Sequence, residues 1–174
     1  ENMRLAMDAV REENGLCEAA LCYTGDILSS ARPKYDLKYY VDLAKELERA
    51  GAHIIAVKDM AGLLKPAAAT ELFKALRQET DLPIHFHTHD TSGISAATVL
   101  AAVEAGVDAV DAAMDAFSGN TSQPCLGSIV EALRGGARDP KLDPEWIRRI
   151  SFYWEAVRAQ YAAFESDLKG PASE

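Results

Sequence analysis

The chain has 174 residues, 48% of them hydrophobic and 26% charged, which is enough apolar content for a substantial globular core. Its net charge of −9 argues against a general binder of nucleic acid or of anionic membrane. No apolar run approaches the ~20 residues that span a bilayer.

Residues 1–14 read as a helix with Met3, Ala6, Met7 and Val10 on one side, closed by Gly15. The charged start has the character of a helix already in progress, not of a signal peptide. Cys17 to Tyr23 is a short apolar strand, and a loop runs from Thr24 through Pro33. Asp36 is placed to cap the next helix, whose stripe is Leu37, Tyr40, Val41, Ala44 and Leu47 and whose stop is Gly51. His53 to Val57 forms a second strand, ending in Lys58-Asp59. Pro66 suits the first turn of a helix carrying Ala69, Leu72, Phe73 and Leu76. A third strand precedes Thr91-Ser92-Gly93, a helix spans 94–105, and Asp108 to Met114 is a fourth strand. A helix over 126–134 follows. Beyond Gly135-Gly136, Trp146 to Asp167 reads as one long, aromatic-rich helix with no strand after it.

Strand and helix alternate, which predicts parallel strands joined by right-handed crossovers. A faint repeat supports this: Ala50-Gly51-Ala52-His53 before one strand echoes Ala105-Gly106-Val107-Asp108 before another. The expected fold is α/β, a (β/α)8 TIM barrel, and about four strands are visible where a full barrel takes ~250 residues. Residues 1–134 are therefore expected to form half of a larger barrel, and residues 135–174 a linker and helix leading out of it. Asp26, Lys58, Asp59, His87, His89, Asp90 and Asp115 all fall at or just past strand C-terminal ends, the rim where such folds build sites. Cys17, Cys22 and Cys125 are odd in number and scattered, the pattern of reduced core cysteines in an intracellular protein.

The third strand carries the most informative run, His85-Phe86-His87-Thr88-His89-Asp90. Period two puts His85, His87 and His89 on one face, and two neutral imidazoles two residues apart on a strand can reach one metal ion. The bland alternative is a polar strand end with hydrogen-bonded histidines. Lys58 closes an otherwise apolar strand. It could snorkel or pair with Asp59, form a Schiff base as a desolvated amine, or take up carbon dioxide and become an anionic metal ligand. The neighbouring histidines favour the last. Alternation aims Asp90 away from His89, and no further residue presents itself as the final ligand.

The runs IIAVKDMAGLLKP at 54–66 and LPIHFHTHDTSG at 82–93 resemble the carboxyltransferase domain of biotin-dependent pyruvate carboxylase. CYTGDIL at 22–28, KYDLKYY at 34–40 and GNTSQPCLGSIVEAL at 119–133 resemble the same family, in order, across nearly the whole chain. The resemblance implies the last four strands of the barrel. It implies a divalent metal, zinc or manganese, held by carbamylated Lys58, His87 and His89, with Lys58 also catalytic and a fourth aspartate ligand outside this chain. His85 is not a ligand in that alignment and is expected to pack or hydrogen-bond beneath the site. The implied reaction moves carboxylate from carboxybiotin to pyruvate, giving oxaloacetate, with the metal making negative charge on the enolate oxygen less costly. Biotin and ATP would be handled by other domains of the same polypeptide, in a homotetramer of the bacterial cytoplasm or the mitochondrial matrix. Neither nucleic acid nor membrane is an expected partner. The alternatives are the α subunit of an oxaloacetate decarboxylase or transcarboxylase, a more distant acyl-CoA lyase or isopropylmalate synthase type of barrel, and an inactive truncated fragment. Asp90 and the Tyr35–Tyr40 run favour pyruvate carboxylase.

Overall fold

Four parallel strands in the order β1-β2-β3-β4 form the sheet: β1 Glu18–Cys22, β2 Ile54–Asp59, β3 Ile84–Thr88 and β4 Ala109–Val110. The structure is a computed structural model that describes residues 2–31, 33–165 and 170–172. Helix α1 (Asn2–Glu12) precedes β1, and α2 (Leu37–Arg49), α3 (Pro66–Glu79), α4 (Ser95–Glu104), α5 (Leu126–Leu133) and α6 (Pro144–Gln160) separate and follow the strands. The alternation expected from the sequence is thus present, with every strand pair parallel.

Register decides which residues meet. Leu21 pairs with Val57 and Val57 with Phe86, while one residue on Cys22 pairs with Lys58 and Lys58 with His87. In-register neighbours of parallel strands point to the same face. The first row is fully buried against the helices, where Phe86 meets Phe73 of α3 edge-on with ring centroids 5.1 Å apart. Tyr40, Leu72, Leu76 and Val99 complete this layer. The second row lies on the opposite face, away from the helices, and is where chemistry can be mounted without cost to the core.

Helix starts follow local rules. The Asp36 carboxylate accepts from the backbone N–H of Tyr39 at 2.8 Å, capping α2 as expected. Pro66 occupies the first turn of α3, where its missing N–H costs nothing. Asp143 caps α6 through Glu145 N–H at 2.8 Å.

Three expectations need correction. The stripe of α1 is not buried as a unit: Met7 alone is buried, and Met3 and Val10 are exposed. The fourth strand is two residues long, not seven. After Asp111, whose N–H still reaches Phe86 O, the chain leaves β3, and Ala113 pairs instead with the segment around Cys125. The long helix ends at Gln160, followed by a 3₁₀ turn at Ala162–Phe164; residues 166 and 167 of its expected span lie outside the described residues.

Candidate functional site

At the C-terminal end of β3, the Nε2 atoms of His87 and His89 stand 3.1 Å apart. The other nitrogen of each ring is committed. His89 Nδ1 lies 2.7 Å from the carbonyl oxygen of Thr121, which can only accept, so this nitrogen carries the proton. His87 Nδ1 lies 2.6 Å from Asp111 Oδ2 and donates to the carboxylate. Burial pushes the Asp111 carboxyl up, but His87 and His85 beside it outweigh that and hold it below its ordinary value, in the accepting form. In the neutral form of each ring Nε2 therefore carries a lone pair, and the two Nε2 atoms face each other at hydrogen-bond distance. Such an arrangement is repulsive unless a cation or a proton lies between them.

A divalent metal fits this donor set. Nitrogen ligands about 2.0–2.1 Å from one ion stand about this far apart when they are adjacent in its coordination shell, and an Nδ1–H held by a carboxylate or carbonyl is the usual support of a metal-binding imidazole. Lys58 is the in-register neighbour of His87, partly buried on the same face. Among the described residues no third histidine, cysteine or carboxylate joins the pair. Lys58 is thus the candidate third ligand that the register places beside the pair.

The remaining rim residues separate into structural roles. Asp59, adjacent to Lys58, is fully buried on the helix side. Its carboxylate accepts from the N–H groups of Leu63 and Leu64, each at 2.9 Å, and from the Thr88 hydroxyl at 3.2 Å. It does not pair with Lys58, which sets aside that alternative for the lysine. Asp26 pairs with Lys65. Asp90 accepts from Ser95 N–H at the start of α4, confirming that it turns away from His89. Asp115 accepts from Gly127 N–H at the start of α5.

His85 hydrogen-bonds beneath the pair. Its Nδ1 is 2.8 Å from Glu18 Oε1 and its Nε2 is 3.1 Å from Asp111 Oδ1. Burial pulls its pKa down, yet the two carboxylates prevail and raise it above that of free imidazole. Sequence reasoning missed Asp111 and the Thr121 carbonyl. Asp111 sits two residues past the partner of His85 in β4, a position that only the register reveals. A backbone carbonyl has no signature in sequence at all.

Comparison with known proteins places this geometry. A family model described as HMGL-like matches residues 14–153. Pyruvate carboxylase of Bacillus subtilis is 52% identical over 174 residues, taking in 100% of this chain and 15% of that protein. The mitochondrial pyruvate carboxylase of Homo sapiens is 51% identical over 165 residues, covering 94% of this chain and 14% of that one. The carboxyl transferase domain of Rhizobium etli pyruvate carboxylase, solved with pyruvate and biocytin, superposes with a TM-score of 0.98 at 86% identity, over 99% of this chain and 29% of that chain. The chain thus spans about 15% of the length of the curated relatives it matches. The likeness bears out the carboxyltransferase resemblance and identifies the four-stranded sheet as part of a (β/α) barrel. Because the family match takes in β1 to β4 and both histidines, the chain belongs to the HMGL-like family.

Proposed function

We propose that this chain supplies part of the carboxyltransferase centre of a pyruvate carboxylase, which moves carboxylate from carboxybiotin to the methyl carbon of pyruvate to give oxaloacetate. The observation that carries the reading is the pair of imidazole Nε2 atoms 3.1 Å apart beside Lys58. The likeness to a carboxyl transferase domain solved with pyruvate and biocytin supports the substrate and the carrier. In this reading residues 1–134 form the barrel half and residues 135–174 lead out of it. Biotin and ATP are handled elsewhere in a longer polypeptide, and the parent assembles as a homotetramer in the bacterial cytoplasm or the mitochondrial matrix.

The residues divide the work. His87 and His89 offer neutral nitrogens whose direction is fixed from behind by Asp111 and Thr121. The Lys58 amine, by adding to the carbon of carbon dioxide and releasing a proton, would carry an anionic carbamate able to serve as a third ligand. A divalent ion held by these residues, zinc or manganese, would supply positive charge to offset the negative charge that develops on oxygen as pyruvate loses its methyl proton. The helix-side packing of Val57 and Phe86 holds Lys58 and His87 in step.

The test uses the full-length polypeptide that carries this segment. Lys58→Ala lowers carboxyl transfer to pyruvate by about 100-fold or more, the scale on which enzymes lose rate when a charge-stabilising group goes, while carboxylation of biotin proceeds as before. Near-normal oxaloacetate formation by the variant would refute the proposal.

A further inference from the structure

We propose that Asp111 is a positioning residue for His87, and that His85 and Glu18 complete a brace carrying that orientation across the sheet. The inference rests on the metal reading above and adds to it the groups that make the His87 lone pair available. Asp111 divides its oxygens: Oδ2 takes His87 Nδ1–H at 2.6 Å and Oδ1 meets His85 Nε2 at 3.1 Å. His85 turns its other nitrogen to Glu18 Oε1 at 2.8 Å. The contacts run from the segment after β4, through β3, to β1. They pass over β2 at Ala56, the in-register partner of His85, whose small side chain leaves room for the imidazole to reach Glu18.

The physical consequence lies in the tautomer. An imidazole with no acceptor at Nδ1 is free to carry its proton on Nε2 instead, or to rotate, and in either case the lone pair is lost from the position facing His89. A carboxylate gripped by one imidazole alone could turn away from it. Asp111 is gripped by two, and the second, His85, is itself tied to Glu18. His85 thus acts as a strut, which accounts for a third histidine on the strand face that offers no nitrogen to the ion.

The experiment compares zinc binding by wild-type full-length protein with that of Asp111→Ala, Asp111→Asn and His85→Ala, measured by competition with a chromophoric chelator. The visible absorption of the cobalt(II)-substituted proteins and the thermal unfolding of the metal-free proteins are recorded alongside. Asp111→Ala should weaken zinc binding by about 10- to 100-fold, the usual cost of losing such a supporting carboxylate, and shift the cobalt spectrum, with unfolding of the metal-free protein unchanged. Asp111→Asn keeps a carbonyl oxygen for His87 and should lose less. His85→Ala should fall between wild type and Asp111→Ala. Zinc affinity within twofold of wild type in Asp111→Ala, with an unaltered cobalt spectrum, overturns the brace. If Asp111→Ala does not fold, Asp111→Asn and His85→Ala decide: weakened binding in both supports the brace, and unchanged binding in both overturns it. Wild-type protein that binds no zinc or cobalt overturns the metal reading as well, whereas metal-binding wild type with indifferent variants overturns the brace alone.

Discussion

Lys58 and Asp59 are consecutive in β2, yet their side chains serve opposite faces: Lys58 stands beside His87 on the site face, and Asp59 is sealed beneath the loop that follows. A buried carboxylate of this kind is stabilising only while its donors are in place. Asp59→Ala removes the acceptor for Leu63 N–H, Leu64 N–H and the Thr88 hydroxyl. It should cost about 3 kcal/mol of folding free energy, because donors in a buried loop are left without an acceptor. Urea denaturation of the full-length protein, followed at this domain, gives the number, and a loss below about 1 kcal/mol would contradict the structural role.

Gly62 lies in that loop with φ at +65°, and a Cβ placed there would stand 2.7 Å from the carbonyl oxygen of His89 and 2.5 Å from the Ser92 hydroxyl. Gly62→Ala is therefore strained twice, in its backbone and against the strand end that bears a candidate ligand. The expected result is a loss of about 2 kcal/mol or more in stability, together with weakened metal retention, read by denaturation and by metal analysis after dialysis against chelator. An alanine variant that retains both would show that the loop can move aside.

The cap of α2 is a simpler case. Asp36→Ala forfeits the bond to Tyr39 N–H and should cost about 1 kcal/mol, while Asp36→Ser should restore most of it. Neither substitution touches the site, so carboxyl transfer per folded molecule is expected to stay at the wild-type level. A lower melting temperature with unchanged specific activity is the outcome to look for.

Acid should act on the Asp26–Lys65 pair. The hydrogen bond from Lys65 holds the Asp26 carboxyl below its ordinary value. A carboxylate whose pKa is depressed by folding contributes stability above its unfolded pKa, and that contribution is lost as the pH falls through the folded value. Lys65 is 55% exposed and Asp26 30%, so solvent screening limits the pair to about 1 kcal/mol or less. Lys65→Met should thus be slightly less stable than wild type at pH 7, with the gap closing below about pH 4. A gap that widens in acid would reverse the sign and sink the assignment.

Much of this was legible because period-two alternation is a local property. The buried Ile84, Phe86 and Thr88 and the half-buried His85 and His87 of β3 follow directly from it. Asp36, Pro66 and Gly51 likewise announced helix boundaries by chemistry confined to a few residues. Asp59 falls at the strand end with Lys58, but consecutive strand residues take opposite faces, so its carboxylate belongs to the helix side and not to the rim. Asp111 was missed because the contacts defining it join positions 24 residues apart across a strand only two residues long. The extent of β4 was overestimated because apolar composition continues to Met114, while the backbone of Ala113 had found another partner near Cys125.

The two rows of β2 are one residue out of phase, and nothing but register distinguishes them. A slip of a single position would carry an amine into the oily layer under α3 and present a valine to the candidate site. An insertion or deletion anywhere between Gly51 and Asp59 trades one for the other. Core and candidate site are here addressed by odd and even positions of the same short strand, so its phase decides which residues each receives.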